Sequence, residues 1–169
     1  MTTDGTQITQ GALHLAMQIT GSKDQALDVL QAARIKSLEH RNAPAPEDKS
    51  YRAWFFRVVH NQAIDWLRSQ KKFDHDADPE LYVESEENPE ESLSSEQRKL
   101  FLHKALNSLS ADQREIICLK DFHDFSYKEI AEIMNLERAA VATRLHRARL
   151  ALRDKLIDFD FFKGDNDEV

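Results

Sequence analysis

Apolar positions along this chain recur at helical spacing, and the pattern predicts an all-α protein. A first helix spans about Ile8 to Ile19 and stops before Gly21. A second opens at Ser22, where Gln25 completes the sequence pattern of a capping box. On this second helix Leu27, Leu30, Ala33 and Leu38 share the side expected to face the core. Asp28, Ala32, Ile35 and Glu39 line up opposite them, either as a solvated face or as a docking surface for a larger partner. After "RNAPAPED", whose prolines favour extended backbone, a third helix runs from about Lys49 to Lys71. Tyr51, Phe55, Val58, Val59 and Trp66 form its apolar side. Arg57, Asn61 and Arg68 form a separate polar stripe bordered by Trp54 and Lys72.

The second half has its own rhythm. Helices are expected from about Ser95 to Leu109 and from Ser110 to Phe122, with Ser110 and Gln113 as a capping box. Ser126 and Glu129 cap a short helix that ends at Met134. Asn135 then supplies a residue that tolerates the left-handed conformation, and a longer helix starts near Glu137. Val141, Leu145, Ala148 and Leu152 share the inward side of that last helix. Ala139, Thr143, His146, Arg147 and Leu150 lie outward, with Arg144 at the flank. A short helix, a turn and a longer helix with Thr, His and Arg outward form a helix-turn-helix whose second helix fits a major groove. A structural helical hairpin is the plainer alternative.

Charge separates the two halves. The whole chain of 169 residues carries a formal net charge of -7, which argues against a nucleic-acid partner until its distribution is considered. From Asp74 to Glu96, "DHDADPELYVESEENPEESLSSE" holds three Asp and seven Glu and no Lys or Arg; outside it, basic residues exceed acidic ones by three. Two prolines, clustered serines and few apolar residues make that segment a flexible acidic linker. The expected organisation is therefore two different small helical domains, residues 1–73 and 96–157, joined by a linker over 74–95 and followed by a polar tail over 158–169. Arg and Lys on the stripe of the third helix suit phosphates, and its Asn amide suits a base edge.

Little else in the chain suggests chemistry. It has no apolar run near the ~20 residues of a membrane span and no apolar leader, so a cytoplasmic address without direct membrane insertion is expected. The lone Cys118 sits in an apolar helical context and reads as a buried structural thiol. "DHDAD" offers metal-ligand types on a flexible tract without a preorganised cage. His60, His103 and His123 stand singly on their helices, so no metal and no cofactor is expected. There is no phosphate-binding Gly loop, Cys pair or nucleophile elbow, hence no catalytic residue.

Three stretches together resemble a known family. "GSKDQALDVLQ" from Gly21, "YRAWFFRVVHNQAIDWLRSQKK" from Tyr51 and "SYKEIAEIMNLERAAVATRLHRAR" from Ser126 resemble, in order and spacing, the bacterial RNA polymerase sigma factors of the extracytoplasmic-function (ECF) group of the sigma-70 family. The resemblance covers roughly residues 10 to 156, and "RLHRAR" is its most specific part. It implies a three-helix sigma region 2 and a helix-turn-helix sigma region 4. It further implies that Asp28, Gln31 and Ile35 dock on core RNA polymerase. The loop from Arg41 to Ser50 would hold a flipped base of the minus-ten element of promoter DNA, and Arg57, Asn61 and Arg68 would contact that element. Thr143, His146 and Arg147 would read the minus-thirty-five element, with Arg144 and Arg149 steadying phosphates or packing. The linker would thread the polymerase's basic channel, and an anti-sigma factor is the usual regulator.

The departures from the family pattern carry meaning too. Ala32 stands where the family usually has Glu, Asn135 where it has Gly, Glu137 where it often has Pro, and Ala142 where Lys or Arg is common. Ala142 removes a base or phosphate contact and implies a less usual minus-thirty-five preference. Two other functions fit parts of the pattern: a helix-turn-helix regulator binding duplex DNA by itself, and a protein-interaction adaptor without a DNA role. A transcription assay with purified core polymerase separates the three.

Overall fold

The computed structural model describes residues 5–71 and 93–158, and all the regular structure among them is helical. Residues 72–92, which hold most of the acidic linker, and the polar tail after Asp158 lie outside the described residues, whereas the last linker positions, 93–95, already belong to a helix, which starts two residues earlier than expected. Seven α-helices follow one another: α1 (Gly5–Thr20), α2 (Lys23–Glu39), α3 (Tyr51–Lys71), α4 (Leu93–Asn107), α5 (Ala111–Ile117), α6 (Tyr127–Met134) and α7 (Arg138–Asp158). A π-helical turn, Cys118–Phe122, extends α5.

Helices α1, α2 and α3 pack on one another as a three-helix unit. The chain leaves α1 through Gly21, whose φ of 73° suits a residue without a Cβ and whose N–H closes on the Met17 carbonyl at 2.9 Å. Ser22 holds the N-cap position of α2, but its side chain makes no cap hydrogen bond, so the expected box with Gln25 does not form. The Thr20 hydroxyl lies 3.4 Å from the Ser22 N–H and 3.1 Å from its carbonyl, and engages the Ser22 backbone in place of a cap.

The inward side of α2 also differs from expectation. Ala26, Val29, Leu30 and Ala33 are buried, whereas Leu27 and Leu38 are 44% and 87% exposed. Ala26 and Ala33 let α2 lie close to its neighbours beside Val29 and Leu30, while Leu27 and Leu38 project outward.

In the second unit α5 and α6 pack against α7, and α4 also contacts α7. Ser110 forms the expected capping box with Gln113 at the start of α5. The expected single helix from Ser110 to Phe122 instead widens into the π turn at Cys118. His123 N–H bonds back to the Cys118 carbonyl at 3.1 Å, and Asp124 adopts φ 53°. This widening swings His123 and Phe125 towards α1 and α3.

The two units share one continuous core. Phe56 on α3 and Phe125 after the π turn meet edge to face with centroids 4.9 Å apart, and both are almost fully buried. Burying an aromatic side chain of this kind contributes about 1.5–3 kcal/mol. Gly11 makes the approach of α1 feasible, since a Cβ there would lie 3.0 Å from Phe56 Cζ and 3.3 Å from His123 Cε1.

Polar groups fasten the same seam. Arg114 donates from Nε to the Gln18 carbonyl at 3.1 Å and from Nη1 to the Leu109 carbonyl at 2.9 Å. His60 Nδ1 on α3 hydrogen-bonds Glu115 Oε1 on α5, and Glu115 is fully buried. Burial holds the Glu115 carboxyl above its usual range, and the bond to His60 opposes that shift. His60 and His123 are thus seam residues rather than isolated side chains, which corrects the sequence expectation.

Candidate polymerase and nucleic-acid interfaces

The helix-turn-helix is built by local chemistry. Ser126 Oγ accepts from the Glu129 N–H at 3.2 Å, which starts α6. Asn135 ends it with φ 54° and ψ 53°, and Leu136 N–H closes the turn on the Ala131 carbonyl at 2.9 Å. Helix α7 then leaves with Val141, Leu145 and Ala148 buried against the unit.

That burial fixes what faces out. Thr143, Arg144, His146 and Arg147 are all exposed on α7. None of the four makes an ion pair with another described residue. Arg149 differs: its Nη2 lies 2.6 Å from Asp121 Oδ1 and its Nε 3.2 Å from Oδ2, a bidentate bond to the π turn. The Asp121 bond raises its pKa still further. This bond holds the Arg149 side chain against the π turn.

On α3, Arg57, Asn61 and Arg68 are exposed, while Phe55, Phe56, Val59, His60 and Ala63 are buried. Tyr51, Val58 and Trp66 of the expected apolar side are partly buried. Sequence patterning missed Phe56 and His60 because their partners, Phe125 and Glu115, belong to the other half of the chain. Arg57 lines an open groove of about 370 Å³ together with Lys128, Glu132, Asn135 and Arg138, so the α3 stripe borders the helix-turn-helix.

On α2, Asp28, Gln31 and Ile35 are exposed, with Ile35 at 52%. In the loop before α3, Asp48 Oδ1 accepts from the Ser50 N–H and hydroxyl, both at 2.9 Å. These bonds hold its carboxyl below the ordinary value.

Comparison with known proteins decides the family. Residues 9–73 match the model of Sigma-70 region 2, and residues 102–152 match that of Sigma-70, region 4. RNA polymerase sigma factor SigV of Bacillus subtilis is 32% identical over 152 residues, covering 89% of this chain and 87% of that protein. The chain belongs to the sigma-70 family, in its ECF group.

Another relative is the sigma factor YlaC of Bacillus subtilis, 29% identical over 153 residues, covering 89% of this chain and 88% of its own. In three dimensions the sigma factor resembles RpoE of Bartonella quintana, solved in complex with the anti-sigma factor NepR. The TM-score is 0.68 at 27% identity, and the match spans 88% of this chain and 91% of that one. The ECF sigma factor therefore directs polymerase to promoters in transcription initiation, and the stand-alone regulator and the adaptor are not favoured. No helix among its described residues is long and apolar enough to cross a membrane.

Proposed function

We infer that this sigma factor is a non-catalytic specificity subunit. It works in the cytoplasm, binds core RNA polymerase and promoter DNA, and is held in check by an anti-sigma factor. The observation that carries the reading is the division of α7: Val141, Leu145 and Ala148 are buried, while Thr143, His146 and Arg147 face outward just after the left-handed Asn135. A recognition helix needs that division, because the buried side fixes the pose and the outer side meets base edges.

Each exposed cluster takes one task. Thr143, His146 and Arg147 read the minus-thirty-five element, and Arg144 approaches the flanking phosphates. Arg57, Asn61 and Arg68 contact the minus-ten element. The loop over residues 41–50 holds an unstacked base, so that binding energy offsets local unpairing of the duplex. Asp28, Gln31 and Ile35 form the polymerase-docking face. Residues 1–73 and 96–157 act as separate working units, and 74–95 tethers them. Similarity to a sigma factor solved with its anti-sigma factor supports the regulatory partner.

The test is transcription with purified core polymerase. Initiation from a cognate promoter is expected only when this chain is added. Initiation without it, or tight promoter binding by the chain alone, would refute the reading.

A further inference from the structure

Three donor atoms converge where the two helical units meet. His14 Nδ1 on α1 lies 3.4 Å from Cys118 Sγ at the start of the π turn and 3.3 Å from His123 Nε2 just after it. All three atoms fall within 4.8 Å of one another. Cys118 is 2% exposed, and both imidazoles are partly buried.

Hydrogen bonding alone leaves this cluster short. His14 Nδ1 faces two neighbours, and it either carries a proton to donate or offers a lone pair, never both. A thiol sulfur is a weak acceptor and its S–H a weak donor, so the Cys118 edge gains little in either direction. A cation would engage the three atoms at once.

We propose that His14, Cys118 and His123 form a binding site for a zinc-class cation that bridges the two helical units. The donor set selects the ion. One thiol and two imidazoles, with no carboxylate, suit a borderline-soft cation such as Zn²⁺ rather than Mg²⁺ or Ca²⁺. The separations fit as well. Tetrahedral Zn²⁺ with its usual bond lengths spaces two nitrogens about 3.3 Å apart and a nitrogen and sulfur about 3.6 Å apart. Two edges of the triangle already have these lengths, and the third is no longer than 4.8 Å. Water completes the fourth position.

A supporting residue is also in place. Gln18 is one turn along α1 with its side-chain amide 3.5 Å from His14 Nε2. Turned so that its oxygen faces the ring, that amide accepts from Nε2–H and leaves the Nδ1 lone pair for the metal, the usual way a ligating imidazole is oriented. On binding, the Cys118 S–H bond is replaced by S–Zn and one proton passes to solvent. The sequence concealed the site because its ligands stand on α1 and on the π turn, 104 and 109 residues apart.

The metal would tie α1 to the π turn and resist separation of the units. Binding itself does not depend on the promoter reading; only the expected effect on transcription does.

The test uses the full chain, stripped of metal, competing with a chromophoric Zn²⁺ indicator. One equivalent is expected to bind with release of about one proton. His14→Gln and Cys118→Ala should each weaken binding by about 100-fold or more, no less than the loss of a partner behind a metal ligand. Cobalt added to the unaltered chain should show a thiolate-to-metal charge-transfer band, a readout that needs no variant to fold. Absence of that band, or affinity unchanged in Cys118→Ala, would overturn the site. Transcription with core polymerase should fall when Zn²⁺ is added and hold in Cys118→Ala. Failure of transcription without metal would count against the sigma assignment and leave the binding result standing.

Discussion

Arg52 and His123, 71 residues apart, hold the two helical units together: Nη2 of Arg52 donates to the His123 carbonyl at 2.7 Å. The guanidinium also lies 4.0 Å from the centroid of the Phe125 ring. A charged hydrogen bond and a cation–π contact made by one side chain are together worth about 2 kcal/mol or more. Arg52→Ala should shift the chain towards separated units, seen as a larger radius of gyration in solution scattering at unchanged helix content. Arg52→Lys should recover only part of the compactness, because an ammonium cannot stack its plane on Phe125 while making the same bond.

Gly11 offers the opposite approach to the same seam. Leucine is a better helix former than glycine by about 0.8 kcal/mol, so Gly11→Leu should not weaken α1 itself. Its side chain would enter the space held by Phe56 and His123. Scattering should therefore report expansion, while circular dichroism retains full helicity. A variant as compact as the parent would show that this contact does not govern the packing.

Asp48 gives a pH dependence with a definite sign. Its carboxyl is held below 3.8, first by the Ser50 N–H and then by the Ser50 hydroxyl. A depressed carboxylate adds stability that is present above its unfolded pKa and is lost as pH falls through the lower folded value. Amide exchange at Ser50, corrected for the intrinsic rate, should therefore accelerate only below about pH 4 in the parent chain. In Asp48→Ala it should be fast at neutral pH as well. If this loop holds the unstacked base, the same variant should slow promoter opening without altering minus-thirty-five choice.

Arg147 and Arg149 should separate cleanly. Arg147→Ala is expected to reduce discrimination at one minus-thirty-five position by about 1–3 kcal/mol and leave polymerase affinity intact. This would be measured by competition among promoter variants. Arg149→Ala should leave discrimination unchanged and lower thermal stability by no more than about 0.2–1 kcal/mol, the range for an exposed ion pair. An effect on base choice at Arg149 would mean that its bond to Asp121 breaks on DNA.

What the sequence revealed tracks how local the physics is. Ser110 with Gln113, and Ser126 followed by Asn135, act within a single turn, and each does in space what its spacing implied. Ser22 with Gln25 has the same spacing and makes no side-chain cap; the Ser22 backbone meets the Thr20 hydroxyl instead. Helix α2 turns away from its expected orientation because Ala26 and Ala33 share its buried side with Val29 and Leu30, and a wheel weighted by leucines draws in Leu27 and Leu38 instead. The exposed residues of α2, α3 and α7 were found because surface stripes need no partner to be seen. Contacts such as His60 with Glu115 depend on two halves meeting, and no helical period encodes that meeting.

The groove shared by Arg57 and Arg138 also works as a ruler. The minus-ten and minus-thirty-five elements lie about 25 base pairs apart, which is about 85 Å of duplex at 3.4 Å per step. Side chains that line one groove cannot reach both ends of such a span. If Arg57 meets the minus-ten element and the outer side of α7 the minus-thirty-five element, as proposed, a chain folded this way has to unclasp before it can measure a promoter, and its apparent affinity falls with the fraction of molecules still clasped.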